Sequence, residues 1–262
     1  MASTVLVSDW LLGVQTTLQD LTPRFRRWPE IELIRYANFG RLALAKYLPQ
    51  VSSRTDDIRL TAGARQSLDR VAGANILPGS GAAADTDGIA FMRAVCNMGA
   101  NGTTMGRAIR GPVDRYLKDS FEPTWLTETG AEVLEVVFDK SLPTQFFVSP
   151  ALAVSGDRWI RVEWMANPTA LPAGGAAAAE RYVTGGTEVA RVLGVPDAFA
   201  EDLHNYVVAV ALLKGSKNTA NLPKAQVHAG MFISSINQQA KTATGVSPNL
   251  SVLPFVAEIA SA

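Results

Sequence analysis

Two glycine-rich motifs are the parts of this sequence whose spacing is closest to that of a nucleotide site. "GSGAAA" at 79–84 has the G-x-G-x-x-A spacing of a dinucleotide-binding loop, which must lie between a strand and a helix. Pro78 precedes this motif and "DTDG" follows it, so no helix opens there. "GANGTTMG" at 99–106 lacks the Lys-Ser/Thr ending of a phosphate-binding loop. Both motifs therefore predict loops without a bound nucleotide.

The sequence gives equally little support for a metal-binding site. "DTDG" at 85–88 matches part of a calcium loop, but placing its glycine at the loop's sixth position puts Ala83 first and Ala94 last, and neither supplies a carboxylate. The histidines and cysteines of the chain are His204, His228 and Cys96. No His-x-x-x-His pattern of a zinc site occurs. We expect no metal and no cofactor, with both histidines in helices and the cysteine buried.

The carboxylates and serines do not form a recognisable catalytic set either. No G-x-S-x-G motif occurs. The close carboxylate pairs, Glu132 with Glu135 and Glu201 with Asp202, are interpreted as solvated faces or helix caps. We expect a protein without catalytic residues that is not an enzyme. A hydrolase using Asp or Glu stays open, as does a ligand-binding module; converging carboxylates or a deep apolar pocket would identify them.

The composition indicates a globular chain that is not specialised for nucleic acid. Of 262 residues, 47% are hydrophobic and 18% are charged, which favours a sizeable core. The 24 basic and 24 acidic residues balance, whereas a phosphate-neutralising protein normally has a basic excess. The apolar run at 206–213 is too short to span a membrane. We expect a soluble protein made in a cytoplasm, without a signal peptide.

Apolar residues recur at helical spacing near both ends of the chain. The predicted helices cover 3–20, 29–48, 197–215 and 220–243. The second is the best specified, because Pro29 suits the first helical position and Glu30 and Glu32 complement the helix dipole. Gly40 lies on its apolar stripe at a cost of roughly 1 kcal/mol relative to alanine. A close approach by another helix would explain that glycine.

Between these helices the apolar period changes to that of strands. "DDIRLTAGARQSLD" at 56–69 alternates on both sides of "AGA" and predicts a hairpin. Further strands are predicted over 88–99, 131–139, 145–150 and 158–166. The middle of the chain is therefore predicted to be a β-rich insertion, residues 56–166.

The last segment, 244–262, is too apolar for a solvated tail and is interrupted by Pro248 and Pro254. It requires a surface to pack on, and both another chain and its own core remain open. The fold predicted overall is α+β and mainly α. It is a single domain over 1–243, a bundle of about four long helices with the β-rich insertion, followed by an extended C-terminal arm over 244–262.

Several motifs occur in an order that is similar to that of the phage adaptor proteins. They are "RWPEIELIRYANFGR" at 27–41, "VDR" at 113–115, "VFD" at 137–139 and "PTQFFVSP" at 143–150. The matching positions are Trp28, Glu32, Leu33, Tyr36, Asn38, Gly40, Arg41, Asp114, Arg115, Phe138, Asp139, Phe147, Val148, Pro150, Asp202, Leu203 and Tyr206. The chain thus resembles, over most of residues 3–240, the head-to-tail connectors of short-tailed bacteriophages.

This resemblance implies a structural protein of the virion. Such adaptors form a homo-oligomeric ring, dodecameric by this resemblance, between the portal protein and the tail nozzle or tail fibres. The ring extends the channel through which DNA passes without sequence-specific binding. The alternative from the same setting is another virion component, a head-closure or tail-tube protein.

The resemblance also implies roles for two groups of residues. Family members build the ring from helices and grip the portal with an extended C-terminal arm, which here corresponds to residues 245–258. The residues expected to contact the portal are Leu250, Val252, Leu253, Phe255 and Val256. Those expected to pack helices or subunits are Trp28, Leu33, Tyr36, Gly40 and Tyr206.

Overall fold

The chain forms two compact units in the computed structural model. The helical unit comprises Met1–Val51 and Pro168–Ala262, and the β unit comprises Ser52–Asn167. The structure describes residues 3–22, 26–68, 88–100, 102–153, 158–172, 182, 190–214, 220–244, 250 and 253. The predicted division into a domain over 1–243 and an arm over 244–262 stays a prediction.

Six α-helices occur among the described residues. In chain order they are α1 (Val7–Thr17), α2 (Glu30–Tyr47), α3 (Pro49–Ser52), α4 (Arg115–Phe121), α5 (Ala200–Lys214) and α6 (Asn221–Thr244). Helices α1, α2, α5 and α6 build the helical unit, while α4 belongs to the β unit. None of these described helices is long and apolar enough to cross a membrane.

Helix α5 is the centre of the helical unit. Residues 206–212 are buried without interruption, so this helix is covered on every side. It packs against α1, α2 and α6. The segment "YVVAVALL", which contains no charged residue, is what allows such complete burial.

The contact between α2 and α5 is close enough to require glycine at position 40. A Cβ atom on Gly40 would lie 2.5 Å from Leu203 Cδ1 and 2.7 Å from Tyr206 Cδ1. Real Cβ atoms essentially never approach other atoms so closely. The close helix approach predicted from Gly40 is therefore confirmed.

The described part of the β unit contains eight strands in two sheets. The strands are β1 (Ser53–Arg59), β2 (Gly63–Ser67), β3 (Gly88–Met98), β4 (Met105–Ala108), β5 (Arg110–Asp114), β6 (Glu135–Phe138), β7 (Gln145–Leu152) and β8 (Trp159–Ala166). One sheet has the order β1-β8-β3-β4 and the other β2-β7-β6-β5. All pairings are antiparallel except that of β5 with β6.

The two sheets share one apolar core within the β unit. Phe91 of β3 stacks on Phe146 of β7, with ring centroids 4.5 Å apart. Trp164 of β8 is buried in this core, and its Nε1 donates to the Asp56 carboxylate at 2.8 Å. The alternating burial of β8 faces Ile160, Val162 and Trp164 inward, as period-two strands require.

The prediction of a mainly α fold built on a four-helix bundle is wrong. Of the described residues, 41% are helical and 28% lie in strands, which makes this a mixed α/β fold with two four-stranded sheets. The sequence pattern missed β4 and β5 because nearly all of their side chains are exposed. Strands without a buried face lack the alternation by which strands are recognised.

The predicted hairpin over 56–69 is also wrong, although both of its strands exist. β1 pairs with β8, and β2 pairs with β7 in the other sheet. Gly63, with φ +93°, lies where the chain passes from one sheet to the other. Local alternation predicts strands, but their partners are set by packing between residues far apart in sequence.

Candidate functional site

The residues predicted to pack helices or subunits all lie inside the helical unit of their own copy. Trp28, Leu33, Tyr36, Gly40 and Tyr206 are buried. Trp28 Nε1 donates to the Ala211 carbonyl at 2.8 Å, which joins the start of α2 to α5. Tyr206 lies 5.0 Å from the Phe232 ring of α6. Because their surfaces are already covered, any contact with another chain must use other residues.

Tyr36 shows how polar groups are accommodated at this core. Its hydroxyl donates to the Glu32 carboxylate, which also pairs with Lys214. Burial, together with this bond to Glu32, raises the pKa of Tyr36. The phenol therefore stays protonated and acts as a donor to Glu32 within α2, and the pair of Glu32 with Lys214 links the first turns of α2 to the end of α5.

Two polar side chains of α2 hold the returning chain against the helical unit. Asn38 donates to the Leu171 carbonyl at 2.9 Å and accepts from the Leu171 amide at 2.8 Å. Arg41 is buried and donates to the Thr169 carbonyl at 2.8 Å. Burial, with a further contribution from Arg191, lowers the pKa of Arg41 to about 10. The guanidinium remains charged and serves as a structural donor.

The described part of the C-terminal segment is fastened to α6. Asn237 accepts from the Leu250 amide at 2.9 Å and donates to the Leu250 carbonyl at 3.0 Å. Leu253 is buried in the core of the helical unit, and Leu250 packs against that core. Two of the five predicted portal contacts thus lie on their own copy. Val252, Phe255 and Val256 lie outside the described residues.

The two histidines form a polar cluster between helices. His204 Nε2 lies 3.1 Å from the Thr17 hydroxyl, and His228 Nδ1 lies 2.8 Å from the Asn205 carbonyl oxygen. Burial lowers the pKa of both imidazoles, and the charge of His228 adds to the effect on His204. The neutral imidazoles act as hydrogen-bonding groups within the packing of α1, α5 and α6.

The carboxylate pairs singled out in the sequence do not converge on a reactive centre. Glu135 accepts from Lys118, and Asp202 accepts from Gln239 Nε2 at 3.0 Å. Among the described residues, no group of three or more His, Cys, Asp or Glu side chains could hold a metal ion. The motifs at 79–84 and 85–87 lie outside the described residues. Of the motif at 99–106, Met105 and Gly106 belong to β4, and Gly99 N donates to the Thr104 carbonyl at 2.7 Å before that strand.

The charged residues of helix α4 bond to other residues of the β unit. Lys118 is buried and bonds to Glu122 and Glu135. Burial alone would lower the pKa of Lys118, but these two carboxylates together raise it. Arg115 lies 4.7 Å from the Phe147 ring centroid and 3.4 Å from the Asp139 carboxylate.

Further bonds fix α4 at both ends. Asp114 caps its first turn by accepting from the Tyr116 amide at 2.9 Å. Asp119 accepts from Nε1 of the fully buried Trp125 at 2.8 Å. Bonds to Ser141, followed by Arg115, lower the pKa of Asp139, which keeps this carboxylate ionised beside the helix. The short helix is therefore held rigidly by its polar side.

The apolar side of α4 faces solvent. The aromatic patch, as we call it, consists of Tyr116, Leu117 and Phe121, which are 79%, 51% and 81% exposed. Amphipathic surface helices normally bury their apolar face and expose their charges. The reversed arrangement leaves large aromatic side chains available for contact with another molecule.

A second exposed apolar surface lies on α6. Val227 and Met231, one helical turn apart, are 56% and 52% exposed. A Cβ atom on Gly230, between them, would meet no atom within 4 Å. The charged residues of α6 are Lys224 and Lys241, with no carboxylate. The outer side of this helix is thus apolar, small and weakly basic.

The sequence did not reveal the aromatic patch. It also did not reveal the paired hydrogen bonds that Asn38 and Asn237 make to the backbone of other segments. The signal for the patch was present as "VDRYLKDSF", where Asp114 is a typical helix cap and aromatic residues follow. The length of α4, seven residues, was too short for its periodicity to stand out. The two asparagines have no local signal in the sequence because the backbone groups that they bond lie elsewhere in the fold.

The described residues thus combine two packed units with exposed apolar surfaces suited to contact with other molecules. Many described polar side chains are bonded within these units, while apolar residues of α4 and α6 lie outside the cores. The family model described as SU10 adaptor protein matches residues 7–251. The chain belongs to this family of phage adaptors, which are structural components of the virion that interact with other head and tail proteins. A search of curated proteins found no match.

Proposed function

We propose that this protein is the head-to-tail adaptor of its phage, and that it forms a dodecameric ring between the portal and the tail nozzle or fibres. The observation that carries the proposal is the family match over residues 7–251. The exposed aromatic residues of α4 support it, because a ring subunit must offer uncovered surface to its neighbours. The net charge of zero suits a channel wall along which DNA slides.

The ring is tested by the mass of the assembly. Sedimentation of the purified full-length protein, alone and with its portal protein, should reveal a ring of defined copy number bound to the portal. Electron microscopy of the virion should locate this ring between the portal and the tail. A position inside the tail tube, or no binding to the portal, would contradict the proposal.

The C-terminal arm is proposed to dock on the portal. Leu250 and Leu253 pack within their own helical unit, so they anchor the arm. Phe255 and Val256 follow this anchor and, together with Val252, are proposed to contact the portal by filling apolar pockets beside backbone hydrogen bonds. In this proposal, each copy of the ring subunit places its arm in one groove of the portal.

The arm is tested by truncation after Leu253, which keeps the anchored residues and removes 254–262. The truncated protein should unfold at the wild-type temperature but should no longer co-sediment with the portal. A matched control, Lys224→Ala on the exposed side of α6, should bind as the wild type does. Undiminished binding by the truncated protein would refute the role of the arm and leave the ring proposal standing.

A further inference from the structure

The residues directly before the aromatic patch in sequence form an exposed surface that is basic. Residues 103–112, which we call the basic ribbon, include β4 and the start of β5, and all of them except Ile109 are exposed. The ribbon contains Arg107 and Arg110 and no acidic residue. Neither arginine forms an ion pair with any residue that the structure describes.

The ribbon also carries apolar and backbone groups that could be covered. Met105 is 62% exposed. β4 is the last strand of its sheet, so among the described strands its outer edge has no neighbour. A strand exposed on both faces gains little from its own core, and edge strands of this kind readily accept contact with another chain.

The aromatic patch is bordered by a cavity with acidic lining. The cavity, of about 290 Å³, lies beside Tyr116 and is lined by the carboxylates of Asp114, Asp119 and Asp139. Its cations are Arg115, which already pairs with Asp119 and Asp139, and Lys140. A cationic side chain entering from another molecule would find carboxylate oxygens next to an aromatic ring, which favours guanidinium.

We infer that the basic ribbon of one copy docks on the aromatic patch of the next copy in the ring. Arg107 or Arg110 enters the acidic cavity, and Met105 packs on Tyr116 or Phe121, a contact that thioethers make favourably with aromatic rings. The inference rests on the proposed ring and adds the surfaces that join its subunits. The contact is heterologous, with different residues on each side, as closed rings require.

A second copy fits the two surfaces better than other occupants do. One chain supplies both halves, and they are complementary in charge and in apolar character. Exposed tyrosine and phenylalanine beside a site for arginine are typical of the residues that dominate binding energy at protein interfaces. Two arginines are few for a dedicated DNA contact, and the patch itself offers carboxylates, which repel phosphate.

Disulfide crosslinking tests the contact directly. In full-length protein with Cys96→Ala, Met105→Cys and Phe121→Cys are prepared as separate variants and then mixed under oxidising conditions with portal present. We expect the mixture to give a crosslinked dimer, and either variant alone to remain uncrosslinked. A chain that carries both substitutions should give a ladder of higher oligomers.

The matched control replaces Phe121→Cys by Leu222→Cys, at an exposed apolar position on α6. Its mixture with Met105→Cys should not crosslink. If the ring is seen by sedimentation but the ribbon and patch variants crosslink no better than this control, the inference is overturned while the proposed function stands. If the wild-type protein forms no ring, the proposed function fails first.

Replacement of the exposed aromatic residues by alanine gives an independent measurement. Tyr116→Ala with Phe121→Ala should weaken ring assembly by roughly 30-fold or more, as expected for the loss of interface anchors. Arg107→Glu with Arg110→Glu should weaken it similarly, and Lys224→Glu with Lys241→Glu, the same charge change on α6, should not. Wild-type assembly by both ribbon and patch variants, with DNA or a tail protein lost instead, would overturn the inference.

Discussion

Single residues set how closely the helices of this protein can approach one another. Gly40 and Gly230 are both glycines in long helices, yet their surroundings differ completely: the first faces Leu203 and Tyr206, and the second faces open space. The same substitution should therefore have opposite effects on stability at these two positions.

Gly40→Ala should lower the free energy of unfolding by roughly 1–3 kcal/mol, because the added methyl group overlaps packed side chains of α5. Gly230→Ala should raise it by about 0.5–1 kcal/mol, because alanine restricts the unfolded chain and favours the helix. Urea denaturation of both variants provides the measurement. A stabilising effect of Gly40→Ala would show that α2 and α5 are not in close contact.

The buried histidines make stability depend on pH. The pKa values of His204 and His228 lie below their ordinary value of 6.5 in the folded chain. The unfolded chain therefore takes up protons near pH 6.5 that the folded chain resists, and the free energy of unfolding falls as the pH drops below about 6.5. Glu201 partly opposes the shift at His204.

A comparison of one variant with the wild type checks this pH dependence. The loss of stability between about pH 7.5 and about pH 5.5 should be smaller in His204→Gln than in wild type. Burial raises the pKa of Asp202, which acts in the opposite direction, so this carboxyl does not account for a loss of stability as the pH falls. An unchanged pH profile in the variant would assign the effect to other groups.

At the scale of elements, the chain relies on polar side chains that fasten irregular segments to helices. Asn38 holds Leu171 against α2, and Asn237 holds Leu250 against α6, each through a reciprocal pair of hydrogen bonds to backbone. The segments concerned have no regular structure of their own in the described residues, so these bonds determine where they lie.

Asn237→Ala should release the C-terminal segment while α6 stays helical. We expect a loss of about 1–2 kcal/mol in stability, because two hydrogen bonds disappear and the half-buried amide and carbonyl of Leu250 lose their partner. Amide exchange of Leu250 should become faster, and circular dichroism should stay unchanged. Gln238→Ala, at the neighbouring exposed position, is the control and should leave the exchange of Leu250 as it is.

The sequence allowed the regular elements to be predicted better than their arrangement. The helix around Gly40 and the strand at 159–166 have a buried face and therefore a clear period, while the strand at 145–152 is a short, almost continuously buried run. β4 and β5 have no such face, and the pairing of β1 with β8 joins residues about a hundred positions apart. Pairings of this kind leave no trace in local spacing.

The candidate surfaces were predicted less well for a related reason. Trp28 and Tyr206 were expected from the family resemblance to pack helices or subunits, and both are buried in the core. Tyr116 and Phe121 carry the same type of side chain, but only the bonds of Arg115 and Lys118 to their own unit show that this helix is turned outward. Sequence alone cannot distinguish an aromatic residue that is covered from one that is displayed.

At the scale of the whole molecule, the described apolar core shared by the two sheets is formed by residues of the β unit. Its chain starts in β1 and finishes in β8, and these two strands pair from Ser53 opposite Met165 to Arg59 opposite Trp159. The two ends of the unit therefore lie next to each other, as is common for independently folding domains.

A fragment of residues 52–167 should fold on its own. We expect one cooperative thermal transition and a near-ultraviolet signal from buried Trp125 and Trp164. The same fragment with Trp164→Ala, which removes a large side chain from the core, should lose roughly 3–5 kcal/mol and serve as the unfolded reference. A wild-type fragment without a cooperative transition would show that the unit depends on the rest of the chain.

The central position of α5 has a consequence for synthesis on the ribosome. The first two long helices are translated early, yet the helix that covers them, residues 200–214, follows roughly 150 residues later. At roughly 5–20 residues per second this delay is about 8–30 s. The β unit is translated within this interval, and until α5 follows, the nascent N-terminal helices have no cover for their apolar sides.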